Sequence, residues 1–422
     1  MTSAAEVWDD TDPLVVRTVA VADPGHLLTL LPPEDQVAWV RRGDGLVAWG
    51  VAAVIRTDGA TRIAEARSWW ETQSRAAVVR DEVREPGTGL VCFGSFAFAD
   101  QPGDSVLLVP EVIVGRRGEN TWVTTIGRGT ITSSPDVAPT DPPRPPSGVV
   151  FADGALSGTA WEGVVAQAVE RINAGSLEKV VLARDLIATA DADIDVRWPL
   201  QRLDESYPMC WTFHLDGLFG ATPEMLVRRE RGLVTSRVLA GTIRRTGDDE
   251  RDLALAANLA RSSKDLEEHE YAVRSVADAL APHCTSMNVP ESPFVLHLPN
   301  VMHLATDVAG VARDATGEAV SSLELAEALH PSAAVGGTPT DRALSVITEV
   351  EGMARGRWAG PVGWMDAAGD GEWGIALRSA EVAGGTVRLL AGCGIVASSD
   401  PGAELAETQA KFVPVRDAIS GV

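Results

Sequence analysis

The stretch GSLEKVVLAR, residues 175–184, joins the predicted end of a helix to the start of a buried strand. Residues 159–174 before it carry apolar side chains at helical spacing, and Gly175 stands where a helix commonly ends. The apolar run that follows predicts a strand over residues 179–186. Elsewhere strands and helices do not alternate strictly, which favours an α+β fold with antiparallel sheets over a doubly wound parallel sheet.

The same periodicities predict the other main elements. Strands are expected at 209–214, 225–228, 373–380, 386–391 and 394–397, and helices at 62–79, 249–261, 264–280, 321–329 and 402–412. The stretches LAGTIRR (239–245) and LAGCGIV (390–396) are expected to be glycine turns. Such glycines could instead present backbone N–H groups to a carboxylate.

A proline-rich segment divides the chain. Residues 133–148 contain six prolines, which predicts a loop or extended linker. We therefore expect residues 1–148 to form an N-terminal part of the fold that ends in this linker, and residues 149–422 to form the larger region that carries the candidate functional residues.

Bulk composition excludes several classes of protein. The 422 residues are 45% hydrophobic and carry a formal net charge of −23, which argues against nucleic-acid binding. No apolar run reaches the roughly 20 residues of a membrane-spanning helix, and the first residues lack signal-peptide features. The four cysteines form no CxxC pair, so neither a zinc site nor a disulfide framework is indicated. We expect a cytoplasmic protein.

Lysine is rare enough that each instance needs an explanation. Lys179, Lys264 and Lys411 are the only three among 36 basic residues. Lys179, at the head of a strand, could extend its amine to water. Alternatively, a partly desolvated amine could serve as a general base.

Two predicted helices carry carboxylates beside the other lysines. Glu404, Glu407 and Lys411 share one helix face, and Lys264 and Glu268 are four residues apart. Surface ion pairs of this kind are worth about 0.3–0.5 kcal/mol each and are the simpler interpretation. The carboxylates could instead bind a hard divalent cation such as Mg²⁺.

Three further side chains could carry chemistry. Glu224, in FGATPEML, lies between a turn and an apolar strand, where a carboxyl can keep its proton and act as an acid. Arg378, at a predicted strand position, could be a buried clamp for a carboxylate. His303, in VMHLAT, is more often a core histidine than a catalyst.

Taken together, the ordered motifs resemble the chorismate-utilising enzyme family. The resemblance covers about residues 157–415, with a weaker similarity in CFGSFAF near Phe93. It rests on KVVLAR, FGATPEML, LAGTIRR, KDLEEHEYAV, VMHLAT, LHPSAAVGGTP, GPVGWMDAAGDGEWGIALRSA, LAGCGIV and AELAETQAK. It implies two large antiparallel sheets packed together with flanking helices, and a site in the cleft between them.

The resemblance also implies roles for individual residues. Glu268 and Glu407 match the residues that hold Mg²⁺, with Glu404 close by, and the metal would bind the ring carboxylate of chorismate. The substrate-binding positions are Gly241, Thr242 and Lys411 near the ring carboxylate, Arg378 and Gly392 near the enolpyruvyl carboxylate, and His303 lining the site.

Within the family, the sequence is most similar to the members that form isochorismate. In these, a lysine at the position of Lys179 activates water for attack on ring carbon 2, and Glu224 matches the acid that protonates the departing C4 hydroxyl. Anthranilate-forming members usually carry glutamine instead of that lysine, and aminodeoxychorismate-forming members carry a lysine where Ala240 stands here. The implied activity is the Mg²⁺-dependent, reversible conversion of chorismate to isochorismate.

Three alternatives stay open. A salicylate-forming enzyme shares Lys179 and Glu224 but also expels pyruvate. An anthranilate-type subunit would need an amidotransferase partner, and a non-catalytic chorismate-binding paralogue should have lost a catalytic or metal position. We expect a monomer without an amidotransferase subunit, whose product feeds either menaquinone or siderophore synthesis.

Overall fold

Two large sheets carry the fold in the computed structural model, which describes residues 12–101, 103–129, 135, 137–297 and 301–420. In the described residues the helices are α1 Arg62–Ala76, α2 Gly158–Asn173, α3 Arg197–Ser206, α4 Asp249–Leu259, α5 Ser263–Leu280, α6 Ser322–Leu329, α7 Thr340–Val350 and α8 Pro401–Ile419.

The strands, over the same ranges, are β1 Leu14–Ala20, β2 Val37–Arg41, β3 Asp44–Trp49, β4 Ala53–Thr57, β5 Val78–Asp81, β6 Val91–Ser95, β7 Ser105–Val109, β8 Val112–Arg117, β9 Asn120–Arg128, β10 Val150–Asp153, β11 Lys179–Thr189, β12 Trp211–Leu215, β13 Leu218–Thr222, β14 Met225–Glu230, β15 Leu233–Arg244, β16 Cys284–Asn288, β17 Phe294–His297, β18 Val301–Ala312, β19 Gly337–Thr338, β20 Pro361–Asp366, β21 Gly371–Ile375, β22 Ser379–Ala383 and β23 Thr386–Ile395.

The first sheet has the order β10-β11-β23-β22-β13-β12-β2-β3-β8-β9-β1-β5, with β19 paired to β11. The second has the order β16-β18-β15-β14-β21-β20-β6-β7-β4, with β17 paired to β18. Neighbours are antiparallel except β1 and β5, which run parallel. The predicted α+β class with two large antiparallel sheets is therefore confirmed.

Aromatic side chains hold the two sheets together. Trp39 of β2 reaches the second sheet, where its indole N–H donates to Glu372 Oε2 at 2.8 Å. A Cβ on Gly374 would lie 3.0 Å from the Trp39 ring, so this close approach requires glycine. Strands from both sides of residue 148 share each sheet, since β2 pairs with β12 and β6 pairs with β20.

Helices cover the outer faces. α8 packs on β23, α2 and α3, and α5 packs on β15 and β18. α2 begins at Ser157, whose hydroxyl accepts the Ala160 N–H, and ends before Gly175, which has a φ of +78°. None of the described helices is long and apolar enough to cross a membrane.

Several predicted boundaries were wrong. The expected strand at 373–380 is two strands, β21 and β22, which break at residues 376–378. The expected strands at 386–391 and 394–397 are one strand, β23. α8 continues through Pro414 to Ile419 because Val415, Ala418 and Ile419 bury their side chains. In α8, the burial of these side chains outweighs the tendency of proline to end a helix.

The proline-rich segment is fastened to the fold. Its described residues form neither helix nor strand, but Thr140 donates its N–H to Thr29 O at 2.9 Å and its hydroxyl to Leu31 O at 2.7 Å. Arg197 donates to the Asp141 carbonyl at 3.1 Å. Residues 133, 134 and 136 of the predicted linker lie outside the described residues.

Candidate active site

Lys179 begins β11 and lies half-buried against β23. On one side, β19 pairs with it through Thr338. On the other side, its side chain crosses Gly394, where an added Cβ would lie 2.8 Å from Lys179 Cε. The glycine therefore leaves the space through which the lysine stem passes.

Glu224 lies just before β14, and its main chain is fixed on both sides. Its N–H donates to Thr222 Oγ1 at 3.2 Å, and its carbonyl accepts the Ile375 N–H at 3.0 Å. Burial raises the pKa of the Glu224 carboxyl from 4.5 to about 7. The positive charges of Lys179, Lys411 and Arg378 lower this pKa, but by less than burial raises it. Glu224 can thus hold a proton near neutral pH, as the sequence predicted for an acid.

Arg378 does not lie in a strand, which corrects the sequence prediction. It occupies the break between β21 and β22 with a φ of +49°, a conformation that is strained for a residue other than glycine. Its guanidinium has no hydrogen-bond or ion-pair partner among the described residues, and burial lowers its pKa. Because Glu224 and Glu407 lie within electrostatic range, the unpaired cation belongs to the same site and is available to an anion.

Lys411 connects α8 to β23. Its amine lies 2.7 Å from Glu407 Oε1 and donates to the Gly392 carbonyl at 2.8 Å. Glu404 lies one helical turn before Glu407, and its backbone carbonyl accepts a hydrogen bond from the Cys393 thiol at 3.8 Å. The predicted shared face of Glu404, Glu407 and Lys411 is therefore turned toward β23 near Arg378, and not wholly toward solvent.

The two glycine stretches lie within strands, so the prediction of turns was wrong. Gly241 forms a bulge in β15 opposite β18, with a φ of +69°. Gly392 pairs with Ala183 inside β23, where a Cβ would lie 2.7 Å from Leu182 O and 2.9 Å from the Trp358 ring. Glycine is needed for a bulge at one position and for close packing at the other.

His303 lies in β18 opposite Thr242, beside the bulge. Burial lowers its pKa to about 4, helped by the charges of Arg378 and Lys411 and opposed by a hydrogen bond with the Gly241 backbone. His303 is therefore neutral at neutral pH and close to the cationic side chains. The Thr242 side chain lies outside the described part of the chain.

The expected metal-binding carboxylates lie on two helices. Glu404 and Glu407 are on α8, and Glu268 is on α5, but the side chains of Glu268 and Lys264 lie outside the described residues. Among the side chains that are described, no three of His, Cys, Asp or Glu form a group that could hold a metal ion. Glu407, with a side chain 49% exposed beside Lys411, retains accessible carboxylate oxygens. Carboxylates of this kind suit a hard divalent cation.

The sequence did not indicate three residues that lie next to the site. Trp358 packs against Gly392, and Tyr207 and Cys210 lie beside Arg378. Only the fold brings them there, because each is far in sequence from the residue it approaches.

Comparisons with known proteins identify the family to which the chain is similar. A family model described as chorismate binding enzyme matches residues 14–420. Isochorismate synthase MenF of Bacillus subtilis is 31% identical over 406 residues, which covers 89% of this chain and 85% of that protein. Isochorismate synthase DhbC of the same organism is 42% identical over 259 residues, 59% of this chain and 64% of that protein. The crystal structure of DhbC from Bacillus anthracis superposes with a TM-score of 0.76 at 32% identity, over 94% of this chain and 99% of that one.

Proposed function

This chain belongs to the chorismate-binding enzyme family, and on that premise we propose that it catalyses the isochorismate synthase reaction, an isomerisation of chorismate. The observation that carries the proposal is the pairing of Lys179 with a Glu224 whose pKa burial raises to about 7. An amine and a protonated carboxyl within electrostatic range of each other are the base and acid that this reaction needs.

Lys179 removes a proton from water as the water oxygen bonds to ring carbon 2. The two ring double bonds shift, the C4–O bond breaks, and Glu224 gives its proton to the departing hydroxyl, which leaves as water. Lys179 ends protonated and Glu224 ionised, so the same pair runs the reverse reaction with the roles exchanged.

Cationic and backbone groups hold the two carboxylates of the substrate. The Arg378 guanidinium, which has no hydrogen-bond or ion-pair partner among the described residues, donates to the enolpyruvyl carboxylate in the bidentate manner that arginine favours. Gly392 is assigned to the same carboxylate. Gly241, Thr242 and Lys411 are assigned to the ring carboxylate. His303, neutral at working pH because its pKa is about 4, lines the site without adding charge.

We assign Mg²⁺ to Glu268, Glu404 and Glu407, whose carboxylates suit a hard cation. Bound there, the ion would neutralise the ring carboxylate and polarise the ring to which it is attached. Glu407 has a further task, because its ion pair with Lys411 fixes that amine against the Gly392 carbonyl.

The proposal also covers the location of the enzyme, its subunits and the use of its product. We propose a cytoplasmic enzyme, in which the four free cysteines would stay reduced. We propose a monomer that acts on chorismate and isochorismate without an amidotransferase subunit. The product could serve menaquinone or siderophore synthesis.

The test is incubation of the purified protein with chorismate and Mg²⁺, followed by chromatography, and the same incubation started from isochorismate. We expect one equilibrium mixture to be reached from both sides. Salicylate with pyruvate would identify a salicylate synthase, and binding of chorismate without turnover would identify a non-catalytic paralogue. Either result would overturn the proposed reaction.

A further inference from the structure

A buried ion pair lies behind the strand that carries Lys179. Glu351 caps α7, and Arg355 follows four residues later; the two residues are 1% and 4% exposed. Arg355 Nε donates to Glu351 Oε2 at 2.9 Å, and Arg355 Nη2 donates to Glu351 Oε1. The guanidinium also lies over the Phe98 ring, 4.2 Å from its centroid, which fixes its orientation. Both side chains are covered by protein, so neither would touch substrate.

The pair occupies a gap at the outer edge of β11. On that edge, β19 pairs with residues 179–180 and β10 pairs with residues 186–189. Between them no strand of the described residues covers the backbone groups of β11, yet buried backbone groups require partners. The Ala183 N–H donates to Glu351 Oε1 at 2.8 Å, and the Val181 carbonyl accepts from Arg355 Nη2 at 2.7 Å. The ion pair thus takes the place of a missing strand.

Arg355 also joins this edge to the loop that pairs with Lys179. Its Nη1 donates to the Val335 carbonyl at 2.9 Å. The Gly336 carbonyl of that loop accepts the Val181 N–H of β11 at 2.9 Å, and the Thr338 carbonyl accepts the N–H of Glu178, which directly precedes β11, at 2.9 Å. One guanidinium therefore fixes the spacing between β11, which carries Lys179, and the loop that pairs with Lys179.

The choice of arginine has a physical reason. A buried ion pair is costly to desolvate, and apolar residues of similar size often give equal or greater stability. Only a planar fork of several N–H donors can bond two carbonyls on separate segments and a carboxylate at the same time. A lysine has one nitrogen and could not keep that spacing.

We propose that Arg355, with Glu351, is a positioning residue for Lys179: it holds β11 and the 335–338 loop in the register that directs the amine toward Glu224. This inference rests on the proposed function, because its consequence is a rate of water addition. Misplacing a catalytic group by about 1 Å can cost about 100-fold in rate.

The test is a double-mutant cycle between Arg355→Lys and Lys179→Ala. With Lys179 present, we expect Arg355→Lys to lower kcat by about 10- to 100-fold, with a KM change below about threefold. In the Lys179→Ala background, Arg355→Lys should have no further effect on kcat, within about twofold, because the group it positions is gone. Enzyme in excess and long incubations make the slow variants measurable.

Arg229→Lys is the matched control. Arg229 and Asp370 form another buried pair, with both side chains 8% exposed, and Arg229 also donates to a backbone carbonyl, that of Ala368. Arg229→Lys should lower the melting temperature as Arg355→Lys does, while its kcat stays within about twofold of wild type. If Arg229→Lys lowers kcat equally, or if Arg355→Lys has the same effect with and without Lys179, the positioning role is wrong.

Glu351→Gln serves if Arg355→Lys does not fold. The amide oxygen can still accept the Ala183 N–H, so the strand edge is retained while the charge that anchors Arg355 is lost. We expect the same loss of kcat and the same dependence on Lys179, and full activity would overturn the inference. Failure of the wild type to form isochorismate would refute the proposed function itself. A normal wild type without the coupling would refute only the positioning role.

Discussion

Replacing Glu224 with glutamine should lower kcat by a factor on the order of 10² or more and yet stabilise the protein above about pH 7. Burial raises the pKa of this carboxyl from 4.5 to about 7 in the folded protein. The folded state therefore binds the proton more tightly than the unfolded state. Below about pH 4.5 both states are protonated and no penalty exists. As the pH rises through about 7, the folded protein must hold a buried charge, and stability is lost.

The size of the effect follows from the two pKa values. A difference of about 2.5, at about 1.36 kcal/mol per pKa unit, gives a penalty of up to about 3 kcal/mol above pH 7. At pH 5 the penalty is below about 1 kcal/mol by the same relation. The entropy of unfolding is about 2.1 cal/mol/K per residue, or about 0.9 kcal/mol/K for 422 residues. The Tm of Glu224→Gln minus the Tm of wild type should therefore increase by about 3 °C between pH 5 and pH 8.

The assay measures Tm for both proteins at several pH values between 5 and 8, together with kcat in both reaction directions. Taking the difference at each pH removes the titration of all other groups. The control is Glu119→Gln, an exposed position in the turn between β8 and β9, which should show no pH-dependent difference. Loss of the donated proton should lower kcat by a factor on the order of 10² or more. A difference in Tm that does not change with pH, or a kcat within a few-fold of wild type, would refute the assignment of Glu224.

Four further outcomes are expected. Lys179→Ala should lower kcat about 100-fold or more in both directions, with correct folding checked by circular dichroism. Gly394→Ala should lower kcat about tenfold or more, because the new Cβ would lie 2.8 Å from Lys179 Cε; Gly163→Ala, on an open helix face, is the control. EDTA should abolish turnover and added Mg²⁺ restore it, and Glu407→Gln should weaken activity and Mg²⁺ dependence together; full activity in metal-free buffer would contradict the metal assignment. With ammonium in excess at neutral pH, chromatography should still show isochorismate as the main product, and a main product that contains nitrogen would count against Lys179 as an activator of water.

Periodicity predicted those elements whose local and tertiary preferences agree. α2 has a serine cap, an apolar face and a terminal glycine, and its observed ends lie within one residue of the prediction. The lysine of GSLEKVVLAR was predicted at the head of a strand, and the structure places it there. In such segments each local signal favours the same structure that packing requires.

The N-terminal strands could not be paired from the sequence. β2 lies beside β12 and β6 beside β20, across more than a hundred intervening residues. Strand periodicity indicates which face is buried, but it carries no information on which distant strand lies alongside. The motif resemblance supplied the two-sheet arrangement that periodicity alone did not.

The site itself contains the largest errors, and they share a cause. Arg378 was expected in a strand because its neighbours are apolar, yet it adopts a left-handed φ of +49° in a strand break. Gly241 and Gly392 were expected in turns because glycine favours turns, yet both lie in strands, one as a bulge and one under Trp358.

A residue in a strained or unusual backbone position persists only when the surrounding structure holds it there. For Arg378 that support includes its carbonyl, which accepts the Ala221 N–H from the neighbouring strand at 3.2 Å. The guanidinium, in contrast, has no hydrogen-bond or ion-pair partner among the described residues, although it is buried enough for its pKa to fall. A half-buried cation can form charge-assisted hydrogen bonds with an anion, so we expect a substrate carboxylate to stabilise Arg378 on binding. The unusual backbone at Arg378 and the carboxylate binding that we propose for it would then be two consequences of one arrangement.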